Sequence, residues 1–135
     1  MTTETEPQPL TTYETDLHEL GEQIVRASET VGERAAARAL VDEGTIFARR
    51  NVRSALIADG PDGATARWEG LSRRKYTLGL NEKERLFLGL VLSLMGMGPI
   101  TIAAVRGLDE RRLCIIMRAI LQLAENNTIA VGIRI

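Results

Sequence analysis

The sequence predicts a mostly α-helical protein: an extended N-terminal helical arm of helix-turn-helix form, a compact C-terminal helical bundle, and a short extended C-terminal tail. Three observations predict it. Hydrophobic residues make up 44% of the chain but aromatics only 4%, so the core is aliphatic, which favours packed helices over a β-sandwich. Apolar residues recur at helical spacing behind recognisable N-cap signals. Finally, Gly96-Met97-Gly98-Pro99 sits inside the uncharged run Leu86–Val105, placing a helix stop and a helix start in the most apolar stretch. At 135 residues the chain is long enough for one domain with a substantial core.

Taken in order, residues 1–13 form a flexible N-terminus, since Met1–Thr11 holds two prolines and no periodicity. A first helix runs from Glu14 to Glu29, with Leu17, Leu20, Ile24 and Ala27 along one stripe. A second runs from Glu33 to Ala58, interrupted only by Gly44, and the turn formers Asp59-Gly60-Pro61-Asp62-Gly63 end it. Residues 14–58 thus constitute the arm and 59–80 a loop, irregular over 64–80, holding Trp68, Tyr76 and the basic run Arg73-Arg74-Lys75. The bundle spans 81–135. Asn81 caps its first helix, with Glu84 three residues on as in a capping box. That helix stops at Gly96 or Gly98, and Pro99 suits the first turn of the next, which Gly107 ends. Asp109 caps a last helix to Glu125, with Asn126-Asn127 as its C-cap. Thr128–Ile135 alternates, with Ile129, Val131, Ile133 and Ile135 on one side, as a short strand or packing arm.

Composition argues against several function classes. The acidic, polar start is unlike a signal peptide, and the single Cys114, in an apolar run, reads as a small buried hydrophobe. His18, the only histidine, lies on the polar side of an acidic helix. No GxxxxGK[ST] loop occurs, and Gly96-x-Gly98 lacks the third glycine and preceding strand of a dinucleotide site. Asp42 and Glu43 neighbour arginines and read as ion-pair partners rather than an acid/base pair. No enzyme, cofactor or metal site is therefore expected. Leu86–Val105 has the length of a membrane span, but Gly96–Pro99 at its centre would free backbone groups in hydrocarbon. Two short helices of a buried bundle account for the same residues.

The charge is uneven. Residues 1–32 carry seven acids and one base, whereas residues 33–135 carry eleven acids and sixteen bases, and fifteen of all seventeen bases are arginine. Arginine suits planar, bidentate phosphate contacts. With Arg34 at zero on a continuous helix, Arg38 falls at about 40°, Arg49 at about 60°, Arg53 at about 100° and Arg50 at about 160°. Such a ridge, roughly 30 Å long at 1.5 Å per residue, matches duplex phosphates. The alternative is a solvated face whose arginines pair with Asp42 and the acidic first helix. Arg73, Arg74 and Lys75 add a second cationic cluster. The order Thr101–Arg106, turn, Asp109–Glu125, Thr128–Val131 also follows a winged helix-turn-helix, which would make the chain a small DNA-binding regulator. The apolar run Leu113–Met117 suits a recognition helix poorly, leaving Glu110, Arg111, Arg112 and Arg118 to reach out. A helical protein-interaction module without a nucleic-acid partner is a further reading.

Gly96-Met97-Gly98-Pro99, followed by Val105 and Gly107-Leu108, resembles a segment of the major coat proteins of rod-shaped and filamentous archaeal viruses. The close likeness covers about 13 residues; the rest agrees in layout. The resemblance implies a structural capsid protein of a helical, filamentous virion, assembled in the host cytoplasm. It also implies dimers, with itself or a related subunit, whose arms wrap linear double-stranded DNA while the bundles build the wall. Carried onto this chain, Arg34, Arg38, Arg49, Arg50 and Arg53 would contact phosphates, with Arg73, Arg74 and Lys75 as secondary candidates. Backbone contacts suit a coat, which binds any sequence. The acidic residues 1–32 depart from the basic arms of that family.

Overall fold

The structure is a computed structural model that describes residues 12–134. The flexible segment expected over 1–13 lies outside the described residues up to Thr11, and its last two residues open the first helix. The elements are α1 (Thr12–Arg26), α2 (Val31–Glu43), α3 (Arg50–Leu56), β1 (Ile57–Gly60), β2 (Gly63–Ala66), α4 (Trp68–Arg73), α5 (Glu82–Ser93), a 3₁₀ segment (Ile102–Gly107) and α6 (Glu110–Leu123). The mostly helical class holds.

The extended arm does not form. α2 is the centre of the core: Ala35, Ala36, Ala37, Ala39 and Leu40 are buried, and α2 packs most extensively against α6, then against α1. The physical reason is small side chains. Four alanines on a thirteen-residue helix let neighbouring helices approach closely, so α2 is covered on several sides rather than along one stripe. Thr30 caps it by accepting from the Glu33 N–H.

The long second helix is also divided. Gly44, with φ +81°, ends α2, and residues 44–49 turn before α3 begins. Here the Glu43 carboxylate accepts the Ile46 N–H at 3.0 Å, a donor that a continuing helix would give to the Asp42 carbonyl. The turn buries Ile46 and Phe47.

Glu43 joins the two halves of the chain. Its carboxylate is fully buried, accepts from the Thr45 hydroxyl, and pairs with Arg112 of α6, whose Nε and Nη2 both stand 3.0 Å from Oε2. Arg111 Nη2 donates to the Asp42 and Glu43 carbonyls at 3.0 and 2.7 Å, a cation on the exposed carbonyls of a helix C-terminus. Asp109, the expected N-cap of α6, accepts the Arg112 backbone N–H and also pairs with its guanidinium at 3.0 Å.

The expected loop 59–80 carries structure. Its turn formers close a hairpin, with Ile57 opposite Ala66 and Gly60 opposite Gly63, and the irregular remainder holds β2 and α4. Gln23 of α1 ties the hairpin down by accepting the Ala64 N–H at 2.9 Å. The Asn81–Glu84 capping box is present in full at the start of α5. After Ser93 the chain leaves the helix through Gly96 and Gly98, both at positive φ. Pro99 therefore lies in a loop rather than in a helical first turn, and the expected fourth helix is a single 3₁₀ segment with no buried residue. With Leu86–Val105 so broken, no helix among the described residues is long and apolar enough to cross a membrane. Cys114 is buried and His18 exposed.

α6 ends at Leu123. The exit is a Schellman-type cap: Glu125 stands at φ +56°, its N–H and that of Asn126 donate to the Gln122 and Leu121 carbonyls at 2.9 Å, and the Asn126 side chain accepts the Thr128 and Ile129 N–H groups. Residues 128–134 form no strand.

Arg112 keeps Asp109 when Glu43 is removed, but the buried Glu43 carboxylate loses its closest cation when Arg112 is removed. Arg112→Ala is expected to destabilise the protein by about 3 kcal/mol, read as a lowered midpoint in urea unfolding followed by far-UV circular dichroism. An unchanged midpoint would show that the clamp contributes nothing.

Candidate nucleic-acid interface

The break at Gly44 means that the candidate arginines of the expected ridge do not share one helix face. Arg38, on α2, is bound to Glu22 of α1 through two parallel hydrogen bonds of 2.9 and 3.0 Å, with Asp42 3.7 Å away. Arg49 reaches Glu84 of the capping box at 3.0 Å. Arg53 donates to the Phe47 carbonyl at 2.8 Å, closing the turn before α3. These three hold elements together, as the solvated-face alternative anticipates for Arg38. Arg34 is exposed and lines a separate cleft with Arg118 of α6.

Three of the eight candidates do converge. Arg50 at the start of α3 and Arg74 just after α4 line one cleft, and Arg73 and Arg74 line the adjoining larger groove. All three are exposed, and none of their side chains makes a hydrogen bond or ion pair with another described residue. Their proximity follows from the packing of α3 on α4. Val52, Ala55 and Leu56 of α3 are buried, as are Trp68 and Leu71 of α4. Gly70 makes the approach possible: a Cβ there would stand 2.7 Å from the Ala55 carbonyl oxygen. Lys75 lies beside them, its ammonium 5.2 Å from the ring centre of Tyr76, which is 79% exposed.

Arg67, which no pattern in the sequence singles out, completes the cluster. It precedes α4, lines the larger groove with Arg73 and Arg74, and donates to the Ser54 and Ile57 carbonyls at 3.3 and 3.1 Å. Those bonds fix its guanidinium at the C-terminal end of α3. Glu33 and Glu69 also line this groove, so its charge is mixed, with the arginines in excess. Arginine forks over an open groove suit phosphate oxygens.

Of the winged-helix order, Thr101–Arg106 falls in the 3₁₀ segment, Thr128–Val131 forms no strand, and α6 is not open as a recognition helix. Cys114, Ile115 and Ala119 are buried, α2 covers α6 more extensively than any other element does, and Arg111 and Arg112 are held by α2. A helix in a major groove presents a free face to base edges.

The paired acids respond to their partners. The Arg38 hydrogen bonds hold Glu22 below the ordinary carboxylate range, and Glu22 in turn raises Arg38. Burial pushes Glu84 and Asp109 upward, but the hydrogen bonds from Asn81 and Arg49 to Glu84, and from Arg112 to Asp109, outweigh it and leave both lowered. Burial raises Asp42.

A lowered folded pKa means that the unfolded chain takes up protons first as pH falls. The contribution of Glu22, Glu84 and Asp109 is thus complete above the ordinary carboxylate value and is lost as pH drops through their lowered values. Asp42 acts in the opposite sense. Urea midpoints are expected to be flat near neutrality and to fall below about pH 4.5, and Glu22→Gln with Glu84→Gln should flatten that acid limb. A limb of the same steepness in the double variant would show that these pairs do not set it.

No protein-family model matches this chain, and neither does any curated protein or solved structure.

Proposed function

We propose that this chain is a structural subunit that binds the phosphate backbone of double-stranded DNA without reading its sequence, in the manner of a helical viral coat. The observation that carries the reading is the convergence of Arg50, Arg73 and Arg74, exposed and unpaired, beside Arg67 across the α3–α4 cleft. Arg38, Arg49 and Arg53 are tied to acids or carbonyls within the fold, which leaves these three together, and Arg34 in a separate cleft, available to an outside polyanion. In this reading DNA lies against the α3–α4 face of a compact subunit, not in the embrace of an extended arm.

The coat role draws on the resemblance carried by Gly96-Met97-Gly98-Pro99 and on two physical features. Net charge is −1, so neighbouring subunits repel little at close packing. Ile102, Met117, Leu123, Ile129 and Ile133 are exposed large hydrophobics that subunit contacts would cover. Few cations per subunit suffice when many subunits share one duplex, because linked weak contacts multiply.

Fluorescence anisotropy with a labelled duplex of arbitrary sequence, over a salt series, tests this. Binding is expected at low salt, with a log–log slope that becomes shallower by about 2 in Arg50→Glu/Arg74→Glu, and with affinity reduced at least about tenfold. Arg38→Ala should lower stability and leave DNA affinity unchanged. Failure of the unmodified protein to bind duplex, or equal loss in Arg38→Ala, overturns the assignment. Negative-stain microscopy of the mixture then separates a filament-forming coat from a discrete binder.

A further inference from the structure

The segment after α6 has the chemistry of a strand without a strand partner. Residues 128–134 read Thr-Ile-Ala-Val-Gly-Ile-Arg, and neither helix nor ladder includes them. Their backbone contacts are few. Asn126 accepts from the Thr128 and Ile129 N–H groups, and Arg118 Nε donates to the Val131 carbonyl at 3.0 Å. The N–H groups of residues 130–134 all bond to no described residue. Ile129 and Ile133 are 58% and 52% exposed, although both are β-branched aliphatics suited to a sheet face.

The pattern is also symmetric about Val131. Isoleucine stands two residues away on either side, and a small residue, Ala130 or Gly132, stands between. An antiparallel copy centred on Val131 therefore places Ile129 opposite Ile133 and Val131 opposite itself, like against like on one face. The Arg118 bond decides which edge is available. In an extended chain the N–H and C=O of one residue point the same way, and successive residues alternate. Arg118 takes the Val131 edge toward α6, which leaves the edge of Ala130, Gly132 and Arg134 to face outward.

We infer that residues 128–134 pair antiparallel with the same segment of a second copy of this chain, about a two-fold axis at Val131. Ala130 and Gly132 exchange hydrogen bonds across the axis, and Val131 meets its counterpart as a non-hydrogen-bonded pair. Seven residues a side fall short of the roughly 800 Å² per partner of a standard interface, so the dimer is weak and concentration-dependent. This names a self-association surface for the reading above. Because it uses no arginine of the α3–α4 cleft, it stands or falls separately from nucleic-acid binding.

Cysteine cross-linking in a Cys114→Ser background, without DNA, tests the register. Only Val131 faces itself, at a Cα separation of about 4.5 Å, which a disulfide spans. Two copies of position 129 would lie about 13 Å apart along the strands. Val131→Cys is expected to form disulfide dimers under mild oxidation at least about tenfold faster than Ile129→Cys or Ile133→Cys alone, while a mixture of those two cross-links to each other. Sedimentation equilibrium of the unmodified chain should show a reversible dimer that Gly132→Pro abolishes, since proline removes an outward donor. Circular dichroism checks that Gly132→Pro keeps its helices, and Arg50→Glu/Arg74→Glu should dimerise normally. A monomer at every concentration, equal cross-linking at all three positions, or a dimer that survives Gly132→Pro overturns the inference.

Discussion

The buried Glu43 carboxylate is the constraint on which the rest of the arrangement depends. A carboxylate out of water is tolerated only when its oxygens are satisfied, and here the Arg112 guanidinium, the Ile46 N–H and the Thr45 hydroxyl satisfy them. Each donor fixes something different. Ile46 commits the chain to leave α2 after Glu43. Arg112 brings the N-terminus of α6 to the C-terminus of α2, 69 residues earlier in sequence. Arg111 then covers the Asp42 and Glu43 carbonyls left open by the helix end. Once those two ends meet, the alanine face of α2 lies along α6, and neither an outstretched arm nor an open recognition helix is compatible with the contact.

The same accounting of partners separates arginines that build the molecule from arginines that can act outside it. Fifteen arginines in a chain of net charge −1 look like a general affinity for polyanions. In the fold, Arg38, Arg49 and Arg112 stand against Glu22, Glu84 and Glu43, and Arg53, Arg67 and Arg111 cap backbone carbonyls. What distinguishes Arg50, Arg73 and Arg74 is that their side chains form no ion pair among the described residues, in a place where two short helices bring them together. Local surplus, not total count, defines the candidate surface.

This explains what could be read from the sequence. Signals whose physics is local were legible: the Asn81–Glu84 box, the Asp109 cap, the turn at 59–63, and the burial of Cys114. Arg34, Arg38, Arg49, Arg50 and Arg53 align only on a continuous helix. Gly44 was visible, but a glycine alone does not end a helix; the bond from Ile46 to a carboxylate held by Arg112 does, and that partner is remote. α4 was missed because six residues are too few for periodicity, although Trp68 and Leu71 are one helical turn apart. Of the candidate site, the Arg73-Arg74 pair was legible as a cluster. Its meeting with Arg50 depends on Gly70 seating α4 against the Ala55 carbonyl, a tertiary fact.

The apolar stretch around Gly96–Pro99 follows the same logic. Its length suggested a membrane span or a pair of bundle helices, yet Gly96 and Gly98 at positive φ turn the chain so that only α5 is deeply buried. The 3₁₀ segment beyond packs on α5 with no residue of its own buried, and Ile102 stays 67% exposed. Ile102, Leu123, Ile129 and Ile133 stay exposed among the described residues, and under the proposed self-association they are the surface a second copy would cover. A surface of that kind, on a chain with little net charge to oppose contact, is the condition for association with copies of itself, whether or not a polyanion joins them.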